Sequence, residues 1–245
     1  MKRSMLALTV LMGFNSSFAA EGTHFDWGYA EQTAPAQWAK LKPEYKACEG
    51  LNQAPINIDQ TISAKLPALK LNYSSKADTI INNNRTVQIN FNPGNTLELE
   101  QQVFHLKQFH LHSPSENTIK GQSFAMEMHL VHATEQGELA VVAVMFEEGE
   151  ENKKLKRLWK ELPKKAGNAV QLKHQDLAAA FLPENLDYYR FNGSLTTPPC
   201  SEGVRWIVLK DIQQASKQQI KAFSSLMEHP NNRPVQPVNA RLVLE

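Results

Sequence analysis

The chain has 245 residues, 26 basic and 25 acidic, with a formal net charge of +1 and 42% hydrophobic residues. That length is enough for one substantial domain with a sizeable buried core. Near-balanced charge argues against nucleic acid as a partner, and no segment comes near the roughly 20 apolar residues that a membrane-spanning helix needs.

Lys2 and Arg3 precede an apolar run from Met5 to Phe14, and Ser17-Phe18-Ala19-Ala20 offers small residues for cleavage. This predicts a secretory signal peptide over 1–20 and a mature domain over 21–245, with no membrane attachment in the mature form. Its removal takes away Lys2 and Arg3, so the formal charge goes from +1 to −1. Cys48 and Cys200 both lie in the exported part. In an oxidising compartment an isolated pair most simply forms one disulfide, closing a loop of roughly 150 residues for at most ~4–5 kcal/mol. Two free thiols, or one thiol as a nucleophile, are the alternatives. The absence of a Cys-x-x-Cys motif and the compartment favour the bridge.

Strand signals dominate the middle. Thr86–Phe91 and Thr96–Glu100 alternate, with Asn92-Pro93-Gly94-Asn95 predicting a hairpin turn between them. Val103–His112 alternates less cleanly, and Ala125–His132 sets Met126, Met128 and Leu130 against Glu127, His129 and Val131. Leu139–Phe146 and Val204–Leu209 are continuous apolar runs, as in strands buried on both faces. Helices look peripheral. Leu155, Leu158, Trp159 and Leu162 share one stripe stopped by Pro163; Ile220, Phe223 and Met227 share another, with Ser216 and Gln219 as a capping box. Lys153, Lys154, Lys156 and Arg157 read as a solvated helix face. The expected fold is a mixed α/β, mainly β single domain, built on a large, mostly antiparallel twisted sheet with short peripheral helices.

His110 and His112 carry the sharpest chemistry. Residues two apart on a strand share a face, so both project together with Gln108 beside them, and Glu127 and His129 do the same one segment on. If the two strands pair, three imidazoles converge with an amide and a carboxylate behind them to fix their tautomers. Three neutral nitrogens with one open position make a catalytic, not a structural, zinc site. His-x-His by itself is a weak signal, and histidines merely buried among polar partners are the blander reading. The remaining histidines lack such a constellation: His132 points to the face opposite His129, and His24, His105, His174 and His229 read as surface groups.

Several motifs in order carry a resemblance. Gln108–His112, Ser113-Pro-Ser-Glu116, Glu127-Met-His129-Leu-Val-His132 and Gly193-Ser-Leu-Thr-Thr-Pro-Pro-Cys200 resemble a bacterial α-class carbonic anhydrase, and Asn52–Ile58 and Asn231–Pro237 match too. The resemblance spans about residues 21–245. It implies one Zn²⁺ on His110, His112 and His129, with Gln108, Glu127 and Asn231 behind them, and reversible hydration of CO₂ to bicarbonate by zinc-bound hydroxide. It makes Thr196 the hydroxyl that aims the hydroxide, Glu116 the carboxylate that fixes Thr196, and Val131, Val141, Leu195, Val204 and Trp206 the apolar pocket for CO₂. The bland account of those five is core, and both hold at a cavity wall. It also matches Cys48 and Cys200 to the disulfide of exported relatives, tying down the Thr196 loop. It implies a periplasmic location in a diderm bacterium, and since several bacterial relatives are dimers it leans towards a homodimer.

One departure bears on mechanism. Faster family members carry a proton-passing histidine in an Asn-Asn-Gly-His sequence, and Ile81-Asn-Asn-Asn-Arg85 puts Arg85 there. A guanidinium stays protonated and relays nothing. Water chains, which Tyr29 and Gln88 could order, external buffer or an unidentified group would then carry the proton. Two other classes remain in view. An inert relative that only binds would have lost ligands, but all three histidines, Thr196 and Glu116 are present. A cupin-like iron or manganese oxygenase would use His110, His112 and Glu116, but needs a distant second histidine motif in a Gly-Pro setting, which His129 lacks.

Overall fold

A computed structural model describes residues 26–173, 178–227 and 229–245. The signal-peptide expectation over 1–20, and His24 and His174, lie outside the described residues.

Among the described residues thirteen strands appear in chain order: β1 (Asn57–Ile58), β2 (Lys70–Tyr73), β3 (Ala77–Asn82), β4 (Val87–Phe91), β5 (Asn95–Leu99), β6 (Gln102–His112), β7 (Thr118–Ile119), β8 (Met126–Ala133), β9 (Leu139–Glu148), β10 (Val170–Gln171), β11 (Tyr188–Ser194), β12 (Glu202–Leu209) and β13 (Gln213–Ala215). The large sheet runs β10-β3-β4-β6-β8-β9-β12-β11, with β13 on β9 and β2-β5 joined to β6. All its pairings are antiparallel except those of β12 and β13 with β9. The helices are short and peripheral: α1 (Trp38–Leu41), α2 (Lys153–Leu158), which continues as a 3₁₀ turn, and α3 (Lys217–Ser224). The expected capping box at Ser216 and Gln219 is present, and Leu155 and Leu158 are the buried side of α2. The architecture is the mainly β one expected.

β9 is buried on both faces from Ala140 to Phe146 and feeds two cores. Ala140, Val142, Val144 and Phe146 pack with Phe109, Leu111, Met128 and Leu130 on one side. Val141, Ala143 and Met145 pack with Phe191, Val204, Trp206 and Val208 on the other. The imperfect alternation of β6 has a cause. The β6–β8 register shifts between Leu106 and Gln108, a bulge at Lys107. The extra residue reverses the phase. Phe104 and Leu106 are buried before it and Phe109 and Leu111 after it, which leaves Gln108, His110 and His112 together on the opposite face.

The turn expectation needs correction. Asn92–Asn95 does turn, with Gly94 at φ 121°, but β4 and β5 do not pair with each other. Both pair with β6, at Gln88–Asn90 and at Thr96–Leu99, and they run the same way along it. The segment is therefore an excursion between two pieces of one strand line. The true reversal is the two-residue turn Glu100-Gln101 between β5 and β6, with φ 53° and 64°. Positive φ at both positions is the hairpin geometry usually served by Asn-Gly, so these residues gave no sequence signal.

His132, on the face opposite His129, is a core group. It is fully buried and stacked on Tyr73, whose hydroxyl lies 2.6 Å from its Nε2. Burial pushes its pKa down to about 4, against a partial pull back from the Ala140 and Leu130 carbonyls. Unfolded, the imidazole takes a proton near about 6.5. The stability it contributes is therefore full above that pH and is lost as pH falls towards 4. In zinc-free protein the parent should lose about 2–3 kcal/mol more stability between pH 7 and 4.5 than His132→Gln, measured by urea unfolding. Equal pH slopes for the two proteins would refute the assignment.

Candidate metal centre

Pairing of β6 with β8 sets His110 opposite His129 and His112 opposite Glu127. The three rings stand 4.6–5.3 Å apart by centroid, and one nitrogen of each lies within 4.8 Å of the others. The second nitrogen of each ring is held. His110 Nδ1 donates to Gln108 Oε1 at 2.9 Å, His112 Nδ1 to the Asn231 carbonyl at 2.6 Å, and His129 Nε2 to Glu127 Oε1 at 2.8 Å. Each acceptor selects a tautomer, and the lone pairs of His110 Nε2, His112 Nε2 and His129 Nδ1 face one another.

Burial pushes all three imidazoles below their ordinary value. For His110 and His129 their neighbouring histidines add to the shift, while the Asn231 carbonyl and Glu127 pull His112 partly back. The rings are neutral near pH 7, the form that ligates a metal. His112 Nε2 is buried with no hydrogen-bond partner, which costs about 1–3 kcal/mol unless a cation fills the space. Three imidazoles with neither thiolate nor carboxylate in the cluster suit zinc. The residues fit the ion.

Glu127 joins the cluster to its surroundings. Besides His129, its carboxylate accepts from Glu116 N–H, Asn117 N–H and Asn117 Nδ2 at 2.7–2.8 Å. Burial raises its pKa, and these donors oppose the rise. Glu116 is equally buried. Its Oε1 accepts from Arg233 N–H at 2.8 Å, and its Oε2 lies 3.4 Å from His112 Nε2 and 3.8 Å from His129 Nδ1. Burial pushes the Glu116 carboxyl well above the usual range, with Arg233 N–H and the Thr196 hydroxyl working against it. The Thr196 hydroxyl is close enough for that effect, yet Oε2 has no hydrogen bond of good geometry.

Thr196 sits between β11 and β12 on a segment closed by Leu195 N–H to Ser201 O at 3.0 Å and Cys200 N–H to Thr197 O at 2.9 Å. Cys48 and Cys200 are bridged. Val141, Val204 and Trp206 are buried in the core on the cluster's side, with Val131 and Leu195 packed against it, and Trp206 meets His129 edge-on at 4.9 Å. Arg85 lies with its guanidinium 3.9 Å from the Trp27 ring centroid and donates to the Trp27 carbonyl through Nε and Nη2 at 3.3 and 3.1 Å. Asn231 does more than cap His112. Its side chain donates to the Arg85 and Leu111 carbonyls and accepts from Ser113 N–H.

Three site residues were given no role from the sequence, although Gln53 and Arg233 lie within the matching Asn52–Ile58 and Asn231–Pro237 segments. Asn117 fixes Glu127. Arg233 fixes Glu116 through a main-chain N–H, while its buried guanidinium donates to Gln53 Oε1, Ala54 O and Cys48 O at 2.8 Å. Gln53 in turn donates to Cys200 O at 3.1 Å, behind the Thr196 segment. A main-chain donor such as Arg233 N–H, 117 residues from Glu116, leaves no residue-type pattern to read.

A family model described as eukaryotic-type carbonic anhydrase matches residues 33–245. The carbonic anhydrase of Pectobacterium carotovorum is 46% identical over 240 residues, 98% of this chain and 97% of its own length. That of Neisseria gonorrhoeae is 46% identical over 231 residues, 94% of this chain and 91% of its own. Among solved structures, the α-carbonic anhydrase of Thermovibrio ammonificans in complex with the inhibitor sulfanilamide superposes with a TM-score of 0.88 at 41% identity, over 89% of this chain and 98% of that one.

Proposed function

The chain belongs to the eukaryotic-type carbonic anhydrase family, the α class, and we propose that it hydrates CO₂ reversibly to bicarbonate and a proton with one zinc ion on His110, His112 and His129. The observation that carries this reading is the convergence of three neutral ring nitrogens, each tautomer fixed from behind, beside Glu116 and Thr196. Bound zinc supplies acidity: it lowers the pKa of a coordinated water to about 7, a figure carried over from carbonic anhydrases in general and not obtained from this chain.

The chain's own residues do the rest. A cation among the imidazoles favours the ionised form of Glu116, which burial alone disfavours. With Oε1 committed to Arg233 N–H, Glu116 has Oε2 left to accept the Thr196 hydroxyl proton. Thr196 Oγ1 is then an acceptor only, so it binds the remaining proton of the attacking oxygen and turns a lone pair towards carbon. The Thr196 N–H holds a substrate oxygen. A C–O bond forms as one C=O π bond opens, and the negative charge moves to the carboxylate of bicarbonate. Val131, Val141, Leu195, Val204 and Trp206 form an apolar wall suited to CO₂. The bridged cysteines and the bacterial relatives support export to the periplasm, with residues 1–20 as the cleaved signal. The test is CO₂ hydration by purified mature protein whose zinc is counted. Activity should scale with zinc, and activity indifferent to zinc removal overturns the reading.

Arg85 sets the pace of regeneration. Packed on Trp27 and permanently protonated, it is a fixed rim element and not a relay. Millimolar imidazole should raise kcat and leave kcat/KM nearly unchanged, and Arg85→His should be faster than the parent in weak buffer. A buffer-independent kcat, or an Arg85→His variant no faster than the parent, defeats this account.

A further inference from the structure

Thr196 and Glu116 stand on separate segments, one between β11 and β12 and the other just after β6, and Glu116 Oε2 has no hydrogen bond of good geometry to join them. Their relative placement comes from the groups behind them. Resting on the hydratase reading, we propose that Gln53 is a positioning residue for this pair: its side chain holds Thr196 against Glu116 without touching substrate or metal.

Gln53 is 2% exposed. Its amide has two N–H donors and an oxygen with two lone pairs, and distant positions in the chain occupy all four. Nε2 donates to the Cys200 carbonyl at 3.1 Å and to Glu202 Oε1 at 3.0 Å. Oε1 accepts from Arg233 Nη1 at 2.8 Å and lies 3.3 Å from the Ser194 hydroxyl, whose nearer acceptor is the Leu195 carbonyl at 2.7 Å. Ser194 precedes Thr196, and Cys200 and Glu202 follow it. One amide therefore grips both flanks of the segment that carries the hydroxyl. Its remaining partner leads to the carboxylate, because Arg233 gives its guanidinium to Gln53 and its main-chain N–H to Glu116 Oε1. Thr196 and Glu116 are thus linked through two buried residues, Gln53 and Arg233.

Cys48 and Ala54 also meet Arg233 through their carbonyls, but each reaches one flank only. The disulfide holds Cys200, and Ala54 N–H donates to the Ser194 hydroxyl. Of the three, Gln53 is the one bonded on both flanks and to Arg233. A buried polar network with every member satisfied specifies one geometry, and a misplacement of reacting groups by about 1 Å costs on the order of 10²-fold in rate.

Gln53→Leu removes all four contacts at nearly the same size. In zinc-loaded mature protein at low temperature, CO₂–bicarbonate interconversion followed by oxygen-18 exchange should fall by about 10–100-fold in kcat/KM. Imidazole should not restore it, because no proton step is touched. In a Thr196→Ala background the same substitution should change the residual kcat/KM by less than about twofold, since Gln53 acts through Thr196 and has nothing left to position. A readout without turnover comes from zinc-free protein. The Leu195 and Cys200 amides, bonded to the Ser201 and Thr197 carbonyls, should gain at least about tenfold more in hydrogen exchange than the Val142 amide of central β9, which reports opening of the whole fold. Should Gln53→Leu fail to fold, Gln53→Glu carries the same measurements, since it keeps an acceptor for Arg233 and loses both donors to the far flank. Parental interconversion in a folded Gln53 variant, an equal loss with and without Thr196, or exchange that rises uniformly over the chain overturns the positioning role. A zinc-loaded parent without interconversion defeats the hydratase reading, and the positioning role with it.

Discussion

His112→Ala is expected to lose zinc and CO₂ hydration together, with activity falling to the uncatalysed background. His112 is buried, and its Nε2 is unpartnered within the protein and aimed at the other two ring nitrogens. Alanine leaves two imidazoles and a hollow. Without the ion nothing in the site acidifies water from 15.7 towards 7. The groups behind the ligands should show a graded version of the same loss. Gln108→Leu and Glu127→Gln should weaken zinc binding by about 10–100-fold, with Glu127 the worse, because its bond to His129 is charge-assisted and the Gln108 bond is neutral. Glu127→Gln should also disturb Glu116 directly, since the carboxylate that orients His129 accepts the Glu116 N–H. Competition with a chelator gives the affinities and metal analysis gives the stoichiometry. Stoichiometric zinc and undiminished turnover in His112→Ala would sink the assignment. Iron or manganese on the native protein, with Glu116 as a ligand, would point to oxygenase chemistry of the cupin kind.

The ligand set was legible in the sequence because strand periodicity is local. His110 and His112 share a face whatever lies around them, and one pairing of β6 with β8 suffices to bring in His129. The bulge at Lys107 was visible only as broken alternation, since nothing in Leu106-Lys107-Gln108 says where an extra residue will be accommodated. The Asn92–Asn95 turn shows the opposite error. Its residues announced a reversal, and the chain did turn, but which strands then pair depends on partners far away in sequence. His132 shows a related gap. Its face was read correctly as opposite to that of His129, but Tyr73, its partner 59 residues back, decides whether that face is solvent or core. The seat of Arg85 on Trp27 is likewise a contact across 58 residues. What the sequence leaves open is long-range pairing, and the Arg233 N–H that fixes Glu116 from 117 residues away belongs to that class.

Removal of the bridge, as Cys48→Ala/Cys200→Ala, is expected to lower stability far more than activity. The two cysteines are 152 residues apart in sequence. Restricting so long a loop in the unfolded chain stabilises the fold by up to ~5 kcal/mol, which for a domain of this size corresponds to a fall in Tm of about 10–20 °C. Reductant should shift the parent towards the same value. Activity at low temperature should hold, because the Thr196 segment has anchors besides the sulfurs. Gln53 donates to the Cys200 carbonyl, Ala54 N–H donates to Ser194 Oγ at the other end, and Arg233 ties Gln53, Ala54 and Cys48 into one buried set. Trp38, fully buried beside the bridge, keeps the pocket filled. The double variant should therefore keep kcat/KM within about tenfold at 15 °C and fail earlier on heating. Thermal unfolding followed alongside CO₂ hydration separates the two effects. A Tm within about 3 °C of the parent would mean that the hydrogen-bonded set, and not the covalent link, restrains this loop. A collapse of kcat/KM in a fully folded variant would mean that the disulfide positions Thr196 directly.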